Sequence, residues 1–223
     1  MTLGQFYQPN RRQKRQHDHK ATVGAMPGDQ AETNRVLERL KVLLSTHLTE
    51  LEHTILRPEL GDAVMEEGAK AERVLLVMSG QLSVEVKDAH GHPQIVAVVG
   101  TDDLVGEMGL VGDYRHTATV RVSEGPAELL AVQADDLLKA TLFDNELVME
   151  LLTLSSKRCQ QNNHHLGLLI EGLEALRDGN AETLEQSCRT LAATAGAPRK
   201  AAQLLEQLAQ QLLPKPATHG RQA

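Results

Sequence analysis

Between Ala63 and Val132 the sequence breaks into short runs of strand-forming residues, each closed by a turn. Ala63-Val64-Met65 precedes Glu66-Glu67-Gly68, and Arg73-Val74-Leu75-Leu76-Val77-Met78 precedes Ser79-Gly80. Leu82-Ser83-Val84-Glu85-Val86 alternates polar and apolar before Asp88-Ala89-His90-Gly91, and Gln94-Ile95-Val96-Ala97-Val98-Val99 leads into Gly100-Thr101-Asp102-Asp103. Thr117-Ala118-Thr119-Val120-Arg121-Val122 and Ala127-Glu128-Leu129-Leu130-Ala131-Val132 complete the series. Runs this short, recurring about every ten residues, select an antiparallel sandwich or jelly roll over alternating βαβ units. Hydrophobic residues make up 41% of the chain, enough for a core. Phe6, Tyr7, Tyr114 and Phe143 are the only aromatics, so that core must be aliphatic.

Helical patterns flank the series. From Glu32 to Arg57 the positions Val36, Leu40, Leu43, Leu44, Leu48 and Leu51 recur at helical spacing, and Pro58 ends the pattern. After the last strand, Asp144 is placed to cap a helix starting at Asn145. Along it, Val148, Leu152, Ser155, Cys159, Asn162, Leu166, Leu169, Leu173 and Leu176 alternate spacings of four and three, a heptad seam. A seam of this kind predicts a parallel two-stranded coiled coil, hence a homodimer through residues 148–176. Its polar positions Ser155 and Asn162 suit the fixing of register. Residues 181–213 read as two helices around Gly196-Ala197-Pro198, with Leu184, Cys188, Leu191 and Ala195 on one face of the first and Ala202, Leu205, Leu208, Ala209 and Leu212 on one face of the second.

Composition narrows the function classes. A net charge of −7 disfavours a general nucleic-acid binder. No window approaches the roughly 18 apolar residues of a membrane span, and the polar N-terminus lacks the apolar region of a signal peptide, so the chain is expected in the cytoplasm. Cys159 and Cys188 stand apart, as buried thiols do. His164 and His165 diverge on a helix by about 100° and make no chelating pair, so no metal is expected. No nucleophile–base pair or phosphate loop of the Walker type occurs, which argues against an enzyme. The basic run Arg11, Arg12, Lys14, Arg15 and Lys20 lies in a segment without apolar periodicity. Disorder is the favoured reading; a basic arm for nucleic acid, anionic lipid or an acidic partner is the alternative.

The chemistry concentrates in VGEMGLVGDYRHTATV, residues 105–120. Gly106 and Gly109 permit close backbone approach to an anion, Glu107 can accept from a ribose hydroxyl, and Arg115-His116 brings positive charge into a strand. This run resembles the phosphate-binding cassette of the cyclic-nucleotide-binding domain family. The Glu-Gly at 67–68 and the Ser-Gly at 79–80 fall in that family's order, and the resemblance covers roughly residues 35–177. It implies an α+β protein: a β jelly roll (a cyclic-nucleotide-binding, cupin-like barrel) with an N-terminal helix, a long C-terminal dimerisation helix and a helical hairpin. The expected organisation is a disordered basic arm at 1–33, the roll at 34–144, the long helix at 145–177, the hairpin at 180–213 and a disordered tail at 214–223.

The resemblance also implies a ligand, cyclic AMP or cyclic GMP, and residues to hold it. Gly106 would admit the ribose phosphate, Glu107 would accept from the 2′-hydroxyl, and the N–H groups of Met108, Gly109 and Leu110 would face the phosphate. Thr117 and Ala118 continue the cassette. Aligned on Ala118-Thr119-Val120, the family's phosphate-pairing arginine falls on His116, and Arg115 sits one residue early. Neighbours on a regular strand point to opposite faces, so Arg115 replaces that arginine only if the short Gly112-Asp113 turn lets it. In the dimeric bacterial regulators of this fold the long helix covers the nucleotide, which places Asn162 and Asn163 near the purine. Three outcomes stay open: a dimeric sensor whose hairpin docks a protein partner, a catabolite-activator-type regulator with a degenerate helix-turn-helix, and a ligand-free scaffold in which Glu107 and His116 satisfy each other. DNA is the lesser expectation for the hairpin, because few residues after Arg199-Lys200 suit bases or phosphates.

Overall fold

A computed structural model describes residues 27–212. In chain order they form helix α1 (Pro27–His47), strands β1 (His53–Leu56), β2 (Ala63–Met65), β3 (Arg73–Lys87), β4 (Pro93–Val99) and β5 (Leu104–Val105), a 3-10 turn (Glu107–Leu110), and strand β6 (Thr119–Gln133). Helices α2 (Ala134–Thr141), α3 (Asn145–Asp178), α4 (Ala181–Ala192) and α5 (Ala197–Leu212) follow. The chain divides into two compact units that part at Gln160 and Gln161, within α3.

In the first unit, six strands form one antiparallel sheet of order β1-β6-β3-β4, with β2 added on β6 and β5 on β3. This is the α+β, jelly-roll-like architecture expected from the run pattern. Strand period two sorts the sheet's side chains into two layers. Leu75, Val77, Leu82, Val105, Val120, Val122 and Leu129 fill the roll's inner core. Val74, Leu76, Leu130 and Val132 point the other way, onto Leu40 and Leu44 of α1, Leu137 of α2, and Leu147, Leu151 and Leu154 of α3. Aliphatic side chains alone fill both layers, as the scarcity of aromatics requires.

Two pairs of expected strands are each one strand. The Ser79-Gly80 break lies inside β3, and Glu124-Gly125-Pro126 lies inside β6. The pairing of β3 with β6 shifts register there, between Val77 and Leu82, and the ladder carries on. Gly80 makes this possible. Its φ is +90°, and a Cβ on it would stand 2.8 Å from both Cα and Cβ of Ala127.

The first helix also differs from expectation. It starts at Pro27, inside the span read as a disordered arm, because Thr33 and Val36 are buried and give that turn a tertiary anchor. Proline suits a first helical position. The helix ends at His47, ten residues short of Arg57 in the reading, and His53-Thr54-Ile55-Leu56 pairs with β6 instead. Leu48 and Leu51 are buried as the helical spacing suggested, but from the connection between helix and strand. The basic run at 11–20 and the tail at 214–223 lie outside the described residues.

Asp144 caps α3 through Oδ1, which accepts from the backbone N–H groups of Glu146 (2.9 Å) and Leu147 (3.1 Å). Its Oδ2 meets His47 Nε2 at 2.9 Å. That contact, followed by the backbone donors, holds the Asp144 carboxyl below its ordinary pKa. Arg39–Glu150 and Lys157–Glu32 add ion pairs between α1 and α3 at 3.0 and 2.6 Å.

In the second unit, Ala175, Leu184, Cys188, Leu191, Ala202 and Leu205 form a small core joining the end of α3 to the α4–α5 hairpin. Asn180 caps α4 by accepting from Thr183 N. Leu208 and Leu212, expected on the inner face of α5, are 40% and 67% exposed.

Gly80→Ala is expected to lower stability by at least about 2 kcal/mol, because it combines a strained backbone with a collision against Ala127. Urea denaturation followed by circular dichroism measures it, and an unchanged midpoint would refute the hinge role.

Candidate ligand-binding site

The cassette begins where β5 pairs with β3, Leu75 opposite Val105 and Leu76 opposite Leu104. The chain then turns at Gly106, whose φ is +92°. A Cβ there would stand 2.6 Å from Met65 Cε and 3.1 Å from the Arg73 carbonyl oxygen, so both the angle and the space call for glycine. The 3-10 turn follows at once. It buries Glu107 and Leu110, buries Gly109 beside Ala71, and leaves Met108 exposed.

Glu107 is 4% exposed, which for a carboxylate demands a partner. The partner is Arg158 of α3. Its Nη1 donates to Glu107 Oε1 at 2.5 Å and its Nη2 donates to the Leu104 carbonyl at 2.7 Å, so one guanidinium ties the helix to both ends of the β5 turn. Glu107 Oε2 has no partner among the described residues, yet no sealed side-chain N or O atom among them lacks one. That oxygen therefore keeps a sliver of accessible surface, although the Glu107 side chain as a whole is only 2% exposed. Nearby, Asp103 accepts from the Gly100 backbone N–H at 2.8 Å. Burial raises the Asp103 carboxyl above its ordinary pKa, against the opposing pull of the Gly100 donor and the Arg158 charge.

The cationic half is arranged differently. Tyr114 has a φ of +56°, and this left-handed residue turns the chain so that Arg115 faces outward. The Arg115 Nη1 donates to the Gly68 carbonyl at 2.6 Å. His116 is buried, and its backbone is locked to the facing loop: its N–H donates to Ala69 O, and Gly68 N–H donates to its carbonyl. Burial lowers the His116 pKa below the ordinary histidine value, and the charge of Arg73 lowers it further. Thr117 is exposed and Ala118 half-buried, while the Thr119 hydroxyl accepts from Glu67 N–H at 3.1 Å.

Glu107, with Arg158 as its partner, does not rely on His116. Asn162 and Asn163 are exposed on the part of α3 that belongs to the second unit. An open groove along α3 is lined by Leu152, Thr153, Ser156, Lys157 and Gln160 and includes no cassette residue. Among the described residues no cluster of His, Cys, Asp or Glu could hold a metal ion, and no helix is long and apolar enough to cross a membrane.

Residues 57–142 match the profile of the cyclic nucleotide-binding domain. This segment belongs to that family. The domain so defined contains every strand except β1, together with the whole cassette. The chain is 25% identical over 112 residues to the CRP-like cAMP-activated global transcriptional regulator of Mycobacterium tuberculosis, covering 49% of each protein. It is 21% identical over 106 residues to the cAMP-activated global transcriptional regulator CRP of Salmonella typhimurium, covering 48% of this chain and 50% of that protein. The chain thus spans about half the length of the curated relatives it matches. Two solved structures are also similar. The sensor domain of the transcriptional regulator DNR from Pseudomonas aeruginosa has 18% identity and a TM-score of 0.48, covering 62% of this chain and 95% of that one. The Thermus thermophilus catabolite activator protein has 19% identity and a TM-score of 0.47, covering 86% and 99%.

Arg158 was not among the residues expected in the site. Its signal is legible in retrospect: Leu147, Leu151, Leu154 and Arg158 form a stripe spaced four, three, four, one residue ahead of the heptad seam, and that stripe ends in a cation beside a domain with a buried carboxylate. Glu107→Ala is expected to destabilise the domain by about 3–5 kcal/mol, because it leaves the Arg158 charge half-buried without its counter-ion. The double variant Glu107→Ala/Arg158→Met should recover much of that loss in a denaturation double-mutant cycle. Additive losses would show that the pair is not coupled.

Proposed function

We propose that this chain is a non-enzymatic sensor that takes a cyclic nucleotide, cyclic AMP or cyclic GMP, into its cassette and reports occupancy through α3. One observation carries the reading: Glu107 is held by Arg158 through Oε1 and leaves Oε2 without a protein donor among the described residues, next to a glycine that admits the ligand's backbone-side approach. A carboxylate accepts through both oxygens, so a ribose 2′-hydroxyl can donate to Oε2 without displacing the guanidinium. Arg158 belongs to α3, so whatever shifts Glu107 acts directly on the helix. The names of the two relatives, both cAMP-activated, support the same ligand class.

The output side follows from α3 and the hairpin. Leu152, Leu166 and Leu173 of the heptad seam are 55%, 56% and 48% exposed, while Leu147 and Leu154 on the neighbouring stripe are fully buried. An apolar seam left outward on a helix whose other face is occupied suits pairing with the same seam of a second copy. On α5, Leu204, Leu208 and Leu212 are exposed, a face better matched to a protein surface than to phosphates. A protein partner for the hairpin is therefore favoured over DNA.

Calorimetry with cyclic AMP and cyclic GMP tests the ligand. Binding by the wild-type chain should weaken about 10-fold or more in Glu107→Gln, which loses the charge of the acceptor. Absence of heat with either nucleotide rules the reading out. Sedimentation equilibrium tests the seam separately: Leu166→Asp/Leu173→Asp should turn a dimer into a monomer, and an unchanged mass would remove the dimer from the proposal.

A further inference from the structure

Arg73 opens β3 on the same strand parity as Leu75 and Val77, which fill the inner core of the roll. Its side chain thus belongs to the inner layer, at the end of that core rather than within it. Two observations bring Arg73 next to the cassette. Its carbonyl oxygen is 3.1 Å from the position of a Cβ on Gly106. Its charge adds to burial in lowering the His116 pKa, so the guanidinium lies within electrostatic reach of that imidazole.

The carboxylate that could neutralise Arg73 is engaged elsewhere. Glu107 lies just beyond Gly106, and its ion pair goes to Arg158. Among the described residues no carboxylate stands within ion-pair distance of Arg73, and no side-chain hydrogen bond holds its guanidinium. Arg73 is half-buried, within electrostatic reach of an imidazole whose pKa burial, and then the Arg73 charge, lowers. The outward Arg115 is held to the Gly68 carbonyl. Among the described residues neither Arg73 nor Arg115 has a carboxylate within ion-pair distance, but Arg115 is exposed and tied to a carbonyl, whereas Arg73 is half-buried on the inner layer and not tied. A guanidinium in that position presents a planar fork suited to phosphate oxygens.

We propose that Arg73 is the phosphate-binding residue of this site, pairing from the β3 side with the phosphodiester of the ligand while Glu107 Oε2 takes the ribose hydroxyl. The assignment rests on the cyclic-nucleotide reading for the identity of the ligand, but the anion chemistry stands on its own. His116 then serves as a buried wall of the pocket, and Arg115 as a brace of the loop.

Arg73→Gln and Arg73→Lys, both checked for folding by urea midpoint, test the assignment with four probes: cyclic AMP, cyclic GMP, adenosine and inorganic pyrophosphate. If the wild-type chain binds a cyclic nucleotide, Arg73→Gln should weaken it by about 10- to 100-fold, Arg73→Lys should weaken it less, and any binding of adenosine should be unchanged. Equal affinity of wild type and Arg73→Gln for the cyclic nucleotide overturns the assignment and leaves the sensor reading standing. If no cyclic nucleotide binds, the sensor reading fails and pyrophosphate decides the rest. A thermal stabilisation of the wild type by pyrophosphate that Arg73→Gln abolishes upholds an anion site at Arg73 for inorganic phosphates. No stabilisation of the wild type, or one that survives in Arg73→Gln, overturns it.

Discussion

The contact between Glu107 and Arg158 organises the first unit. It is the place where a buried charge in the roll meets a charge on the helix that follows it. Burying an ion pair rarely adds much net stability, because desolvation offsets most of the attraction. Its force is conditional. With either partner missing, the other is left buried and uncompensated, so the 3-10 turn and the middle of α3 must keep their places together. The additional donation from Arg158 to the Leu104 carbonyl extends that requirement to β5. The 3-10 turn is thereby set by a residue far along the chain as well as by its own Gly106.

Around this pair the aliphatic layers do the bulk of the stabilising. Strand alternation sends one set of side chains into the roll and the other onto α1, α2 and α3. Helix α3 takes part through one narrow stripe, and the adjacent stripe is left outward. Two heptad-spaced stripes one residue apart explain why its sequence reads as a coiled coil although the same helix packs on its own domain. The buried stripe packs on its own domain, and the exposed one is the face the proposed pairing would use.

Much of this was legible beforehand. The alternation of apolar runs and turns gave the antiparallel roll, β2 falls on Ala63–Met65 as read, and Asp144 caps α3 as read. The misreadings have a common cause: local punctuation was overruled by long-range pairing. Ser79-Gly80 and Gly125-Pro126 look like strand ends, yet β3 and β6 pair along their whole lengths and carry the irregularities as register shifts. Leu48 and Leu51 continue the helical period, but pairing with β6 claims His53–Leu56 for the sheet. The cationic half of the site escaped for a similar reason. A motif read along the chain offers only Arg115 and His116, whereas the guanidinium that holds Glu107 of the turn, that of Arg158, is contributed by a helix that follows.

The ladder between β3 and β6 has a consequence for how the molecule is made. Arg73 pairs with Gln133, and Glu85 with Thr119, so the central strands meet only after everything between them has been synthesised. During translation β3 leaves the ribosome with both edges unpaired until β4 and then β6 arrive. Contacts so distant along the chain slow folding and prolong the life of exposed strand edges. Of the helices, only α1 is made before β3; α2 and α3 emerge later still and need a finished sheet to pack against. The birth of this domain is governed by its last strand.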